Sequence, residues 1–232
     1  MNEQVVKKKL SDHDRLMRLV TSAVMIALAF VLSFFKFSEL PFGGSVTCFS
    51  MVPVVLLGIM YGKRWGLACG TINGVLQALQ GAFGSSKAFA GLGTFEVILM
   101  CFLDYIAAFA VIGLAGMFVS KAVKASDSKK IVITGTLGAL AVSFARYIIH
   151  IISGAILFGG YAEWFFTEVF VNAMGEWIMS NLSGSLLATV YSVIYNGLYM
   201  LPEIIITTAG TAILLSVPFI RNKITSAWAI RR

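Results

Sequence analysis

The feature that most limits what this chain can become is a series of long apolar runs separated by short basic clusters. The runs fall at about 18–36, 46–62, 65–83, 92–120, 130–159 and 187–220. About 20 apolar residues in a helix cross the hydrocarbon of a bilayer. Six such runs therefore predict an all-α integral membrane protein with six transmembrane helices. Composition agrees, since 58% of the 232 residues are hydrophobic and 12% are charged, where a soluble domain carries about 25% charged. One membrane domain over 18–222 is expected, between an N-terminal tail at 1–17 and a basic C-terminal tail at 223–232. The opening MNEQVVKKKLSDHDR leads into a run of near-spanning length without a small-residue cleavage site. It reads as a cytosolic tail, not a signal peptide.

The Lys and Arg positions set the expected orientation. Lys7, Lys8, Lys9, Arg15 and Arg18 precede the first run, and Lys63 and Arg64 separate the second from the third. Lys121, Lys124, Lys129 and Lys130 lie between the fourth and fifth, and Arg221, Lys223, Arg231 and Arg232 follow the sixth. Fifteen of the eighteen basic residues thus share one side; Lys36 and Lys87 fall opposite and Arg146 lies within a run. The positive-inside rule then puts both termini in the cytosol. The net charge of +7 is accounted for by topology, and no nucleic-acid partner is needed. Cys48, Cys69 and Cys101 lack metal-ligand spacing and read as small buried residues.

Two of the expected extracellular loops have distinct character. The first, SELPFGGSVT, carries Pro and a Gly pair and predicts a tight, non-helical connection. The fifth, about 160–187, is the longest and holds Trp164, Phe165, Phe166, Phe170 and Trp177 with three Glu. It suits either an interfacial helix or a lid over an outward-facing pocket.

Five ionisable groups fall in or beside apolar runs: Glu96, Asp104, Arg146, His150 and Glu203. A charge at the bilayer centre costs about 2.5–3.5 kcal/mol even on insertion scales, so such groups face a cavity, pair, or bind something. Glu96, at the start of a run, and Glu203, after Pro202, read first as interfacial or paired. Arg146 and His150 are four apart in ARYIIHIISG and share a helix face. Span 6 adds Tyr191 and Asn196. An acid, an imidazole, an amide and several phenols together suit a polar, aromatic, cationic small molecule. There is no G-x-x-x-x-G-K-[ST] loop, H-E-x-x-H or G-x-S-x-G in the chain. A six-helix importer of this kind must use an ion gradient or borrow a motor. Ala23 and Ala27, at i and i+4 in span 1, fit either close approach of another helix or ordinary internal packing.

The segments GGSVTCFSMVPVVLLGIMYG, FLDYIAAFAVIGLAG, RYIIHIISGAILFGGYA and VYSVIYNGLYMLPE, in matching order from span 1 to span 6, resemble the thiamine-specific substrate-binding (S) component of energy-coupling factor transporters. The resemblance implies a six-helix bundle in the bacterial cell membrane that binds thiamine near its extracellular side. It also implies a separate transmembrane coupling protein and two ABC ATPases as partners, with no cofactor or metal of its own. Carried over by position, the binding-site acid falls on Asp104 and the following tyrosine on Tyr105. The helix 5 histidine falls on His150, its basic residue on Arg146 and its terminal stacking aromatic on Phe158. The helix 6 tyrosine and asparagine fall on Tyr191 and Asn196, and the coupling-protein docking motif on Ala23 and Ala27. Arg146 would either hold the acid in place or face a partner. Two departures stand out: loop 1 lacks the tryptophan that closes over the ligand in some members, and loop 5 is longer than the resemblance implies, with Trp164 or Trp177 as candidate replacements for that lid. The readings left beside this one are an S component for another vitamin or a thiamine precursor, an intramembrane acid–base enzyme using Asp104 and His150, and a gradient-driven permease.

Overall fold

The structure is a computed structural model and describes residues 11–40, 44–83 and 91–229. Lys7–Lys9, Lys87, Arg231, Arg232 and the Pro41–Gly43 tip of loop 1 lie outside the described residues. Helix α1 (Asp12–Leu32) opens on Ser11, whose hydroxyl accepts from the Asp14 N–H at 3.1 Å, and so begins inside the stretch read as tail. An antiparallel hairpin follows, β1 (Lys36–Glu39) on β2 (Ser45–Thr47). Next come α2 (Val52–Tyr61), α3 (Lys63–Phe83) and α4 (Thr94–Lys124). Helix α5 (Ser128–Leu157) is capped by the Asp127 side chain, which accepts from the Lys130 N–H at 3.0 Å.

The long fifth loop is folded, with successive 3-10, α and π turns from Gly159 to Val169 and then α6 (Ala173–Asn181). Helices α7 (Gly184–Ser216) and α8 (Pro218–Ala229) complete the chain. Four helices, α1, α4, α5 and α7, are long and apolar enough to cross a membrane. The C-terminal stretch read as tail is largely α8, held by buried Ile224 and by the Trp228 Nε1–H, which donates to the Ile59 carbonyl at 2.8 Å.

The largest departure from expectation lies in the second run, read as one helix over 46–62. Its first part is strand β2 and a turn at Phe49, whose φ of 58° is a left-handed backbone that costs a bulky residue energy. The Phe49 ring lies where a Cβ on Gly210 of α7 would stand, 2.7 Å from its Cδ1, so the absence of a side chain there makes room for the turn. Only then does α2 begin, with Pro53 in its first turn. Non-helical backbone at such depth is tolerable where it is enclosed by protein or lines a cavity.

Packing centres on two main clusters, beside a smaller third around Ile26, Leu57, Tyr61 and Cys69. One of the two gathers α2 with α4, α5, α7 and α8 around Ile59, Ile112, Val119, Ile131, Leu215 and Ile224. The backbones there come very close: a Cβ on Gly113 would stand 1.9 Å from the Gly66 carbonyl oxygen, so α3 and α4 touch main chain to main chain. The other cluster gathers Val46, Phe165, Phe166, Tyr191, Tyr195 and Tyr199 where the hairpin and the folded fifth loop meet α7. Helices α5 and α7 pack along much of their length, and the site opens beside them.

Candidate functional site

Two stripes with the four-residue repeat of a helix face define the site. On α5 they are Arg146, His150 and Gly154, continued by Phe158 at its C-cap; on α7, running the other way, they are Tyr191, Tyr195, Tyr199 and Glu203. All eight line one cavity of about 760 Å³, within the range of small-molecule sites. Because the helices are antiparallel, Phe158 and Tyr191 mark one end and Arg146 and Glu203 the other. Each stripe rises about 18 Å along its helix. Helix α4 supplies Met100, Asp104, Tyr105 and Phe109, and the hairpin supplies Lys36, Glu39, Gly44, Ser45 and Thr47.

Asp104 sits in a π-helical stretch, Cys101–Ala107, inside α4. Such wide turns recur at functional sites because they re-aim side chains within a helix. Its carboxylate is held from α5 on both oxygens: His150 Nδ1 lies 2.8 Å from Oδ1 and the Ser153 hydroxyl donates to Oδ2 at 2.7 Å. With Nδ1–H donating to the carboxylate, the neutral imidazole leaves Nε2 as an acceptor. That atom is buried and has no partner among the described residues, while the His150 ring meets Tyr199 edge-on at 5.9 Å.

Asn196 is buried at the α5–α7 contact. Its Nδ2 donates to the carbonyls of His150 at 3.2 Å and Ser192 at 2.9 Å, and its Oδ1 accepts from the Tyr199 hydroxyl at 2.7 Å. Gly154 permits this approach, since a Cβ there would stand 2.4 Å from Ser192 Oγ and 2.8 Å from Asn196 Nδ2. Arg146 stacks on Phe109, its guanidinium carbon 4.3 Å from the ring centroid, and lies against Met51 Sδ. Among the described residues it makes no ion pair with Asp104, so the acid is held by His150 and Ser153 instead.

The sequence-derived set Asp104, Tyr105, Arg146, His150, Phe158, Tyr191 and Asn196 is therefore gathered around one cavity. Sequence reasoning passed over Ser153, Tyr195 and Tyr199; the four-residue spacing of Tyr191, Tyr195, Tyr199 and Glu203 was the available signal. It also read Glu203 as an interfacial or paired group, whereas Glu203 is 2% exposed and bound to Thr47 of the hairpin. Glu96 accepts from the Gly93 N–H at the start of α4, away from the cavity lining. Trp164 and Trp177 do not line the cavity either; they are 39% and 60% exposed. The fifth loop instead braces the cavity wall from behind, with buried Phe165 packed edge-on against Tyr191 at 5.3 Å and Tyr195 at 5.7 Å. Ala23 and Ala27 are exposed on α1, about a third of a turn around the helix from buried Ser22, Ile26 and Ala29.

The sequence profile of the thiamine transporter protein family matches residues 19–221. The thiamine transporter ThiT of Bacillus subtilis is 32% identical over 202 residues, covering 85% of this chain and 89% of its own length. The thiamine transporter ThiT of Lacticaseibacillus paracasei is 25% identical over 217 residues, covering 87% and 96%. A solved structure of ThiT from Listeria monocytogenes superposes with a TM-score of 0.63 at 24% identity, covering 89% of this chain and 98% of that one, and shows a shared fold.

Proposed function

The chain belongs to the thiamine transporter protein family, a family of bacterial multi-pass membrane transporters and not of enzymes, and we propose that it captures thiamine from outside the cell as the substrate-binding component of an energy-coupling factor importer. The observation that carries this reading is the convergence of Asp104, Tyr105, Arg146, His150, Phe158, Tyr191 and Asn196 on one cavity. Thiamine joins a permanently cationic thiazolium to an aminopyrimidine with donors and acceptors. Asp104 supplies a fixed negative charge, His150 an acceptor at Nε2, and Phe158, Tyr105 and Tyr191 supply ring faces for a cation or a heteroaromatic. In an enclosed site such charge-assisted bonds are stronger than in water.

The orientation proposed is the one with most basic residues in the cytosol, hence six crossings with both termini inside. The hairpin and fifth loop then face outward, and the Phe158–Tyr191 end of the cavity is its entrance. Helix α2, with ten residues, completes its crossing through β2 and the Phe49 turn. The motor is external: a transmembrane coupling protein docks on the exposed Ala23–Ala27 face of α1, and two ABC ATPases drive release inward. No cofactor is needed for capture. The Asp104–His150 pair, which the acid–base alternative invoked, serves on this reading to orient a binding group.

Reconstitution tests the proposal. Vesicles holding this chain with the coupling protein and ATPases should accumulate labelled thiamine only with ATP, and vesicles holding this chain alone should bind it without accumulation. Accumulation by this chain alone under an ion gradient would replace the proposal with a permease.

A further inference from the structure

The deep end of the cavity holds a buried carboxylate with one oxygen in use and one idle. Glu203 is 2% exposed and lies one turn beyond Tyr199 on α7. Its Oε1 accepts from both the backbone N–H and the hydroxyl of Thr47, the latter at 2.6 Å. Thr47 Oγ1 is also 2.6 Å from Ser50 Oγ. Glu203 thus latches the base of the hairpin to α7. Its Oε2 is buried without a hydrogen-bond partner among the described residues, although the residue lines the cavity. Arg146, the cation at the same depth, stacks on Phe109 and lies against Met51; its Nε is buried without a hydrogen-bond partner among the described residues, and it makes no ion pair with Glu203 within 4 Å. A buried carboxylate oxygen without a donor is costly, and buried polar atoms in folded proteins are rarely left so.

We propose that Glu203 is a specificity-determining residue whose Oε2 accepts a hydrogen bond from an N–H or O–H group at the inner end of the bound ligand, while Oε1 keeps the hairpin in place. The inference rests on the thiamine reading and deepens it. Thiamine carries such donors at opposite ends, the 4-amino group of the pyrimidine and the hydroxyethyl arm. One acidic side chain then reads ligand chemistry and hairpin position together: a ligand with no donor at that end leaves Oε2 unpaired, and a displaced hairpin removes the donors on Oε1. Asp104 and Glu203 divide the cavity, Asp104 oriented from α5 and Glu203 from the hairpin.

The test is calorimetric titration of the purified full-length chain in detergent with three compounds: thiamine, thiamine with hydrogen in place of the 4-amino group, and thiamine with ethyl in place of hydroxyethyl. Glu203→Gln keeps the shape of the side chain and should weaken thiamine about ten- to a hundred-fold, the range for a bond to a charged partner. For whichever analogue lacks the recognised donor, wild type and Glu203→Gln should agree within about twofold, which also identifies the inner end of the ligand. Thr47→Val removes the hydroxyl half of the latch and leaves Oε2, so it should weaken all three compounds by one common factor. Should Glu203→Gln not fold, Glu203→Asp, which keeps the charge and withdraws it by one methylene, should show the same analogue-dependent loss. An equal loss for all three compounds in the Glu203 variants, no loss at all, or analogue-dependent loss in Thr47→Val would each overturn the inference. Wild-type protein that binds none of the compounds would overturn the thiamine reading and this inference with it.

Discussion

The Asp104 carboxylate and the His150 imidazole meet at 2.8 Å across the α4–α5 contact, and Ser153, three residues along α5, occupies the second carboxylate oxygen. The pairing fixes which imidazole nitrogen is left for a ligand and which way the negative charge faces. Asp104→Asn keeps the size but replaces an acceptor with a donor, and it should raise the thiamine Kd by about ten- to a hundred-fold. Ser153→Ala should cost about 1 kcal/mol, because a carboxylate already bonded to His150 loses one neutral donor. Calorimetry on the purified variants separates the two, and equal effects would mean that Ser153 does more than orient the acid.

Gly154 lets α5 and α7 approach closely beside the cavity. A methyl there displaces Ser192 and Asn196, so Gly154→Ala should lower stability by about 1–3 kcal/mol through overpacking. Thiamine affinity should fall with it, since the Asn196–Tyr199 bond borders the cavity. Thermal unfolding with and without ligand reports both quantities. An unchanged melting temperature would show that the helices can part there at no cost.

Stability and binding should separate at Gly113, whose Cβ would meet the Gly66 carbonyl and which does not line the cavity. Gly113→Ala should destabilise by about 1–3 kcal/mol. The fraction that remains folded should bind thiamine as wild type does. A large loss of affinity in folded protein would tie the α3–α4 contact to the site.

Transport and binding should separate at α1. Ala23→Leu and Ala27→Leu enlarge an exposed face without touching the cavity. Thiamine binding by the isolated chain should be unchanged, and ATP-dependent uptake with the coupling protein should be lost. Normal uptake by the double variant would place the docking face elsewhere.

How much of this was legible beforehand depended on the distance over which each feature is decided. The runs behind α1, α4, α5 and α7 announce themselves by length, and Asp104, His150 and Asn196 stand out because a polar group in such a run needs a reason. The Tyr191–Glu203 stripe was present as a four-residue spacing, but tyrosines in a membrane helix suggest an interface as readily as a site. The first connection was legible as tight and non-helical from its Pro and Gly pair, but its strand pairing was not. Ser45–Thr47 pairs with Lys36–Glu39 and is latched by Glu203, 156 positions away from Thr47, and no local pattern in TCFSMVPVVLLGIMYG separates a buried strand and turn from a helix. The π-helical stretch at Cys101–Ala107 likewise leaves no mark in composition. The fifth loop was read from its aromatics as a lid or an interfacial helix; its burial against Tyr191 and Tyr195 follows from where α7 begins, which the loop itself does not encode.

The most direct test of the account is calorimetric titration of thiamine into the purified, vitamin-free chain in detergent, with riboflavin and biotin as controls. The account predicts one-to-one binding of thiamine alone, weakened strongly in Asp104→Ala and His150→Ala while both variants stay folded. Folded wild-type protein that gives no heat with thiamine, or variants that bind it as tightly as wild type, would contradict it.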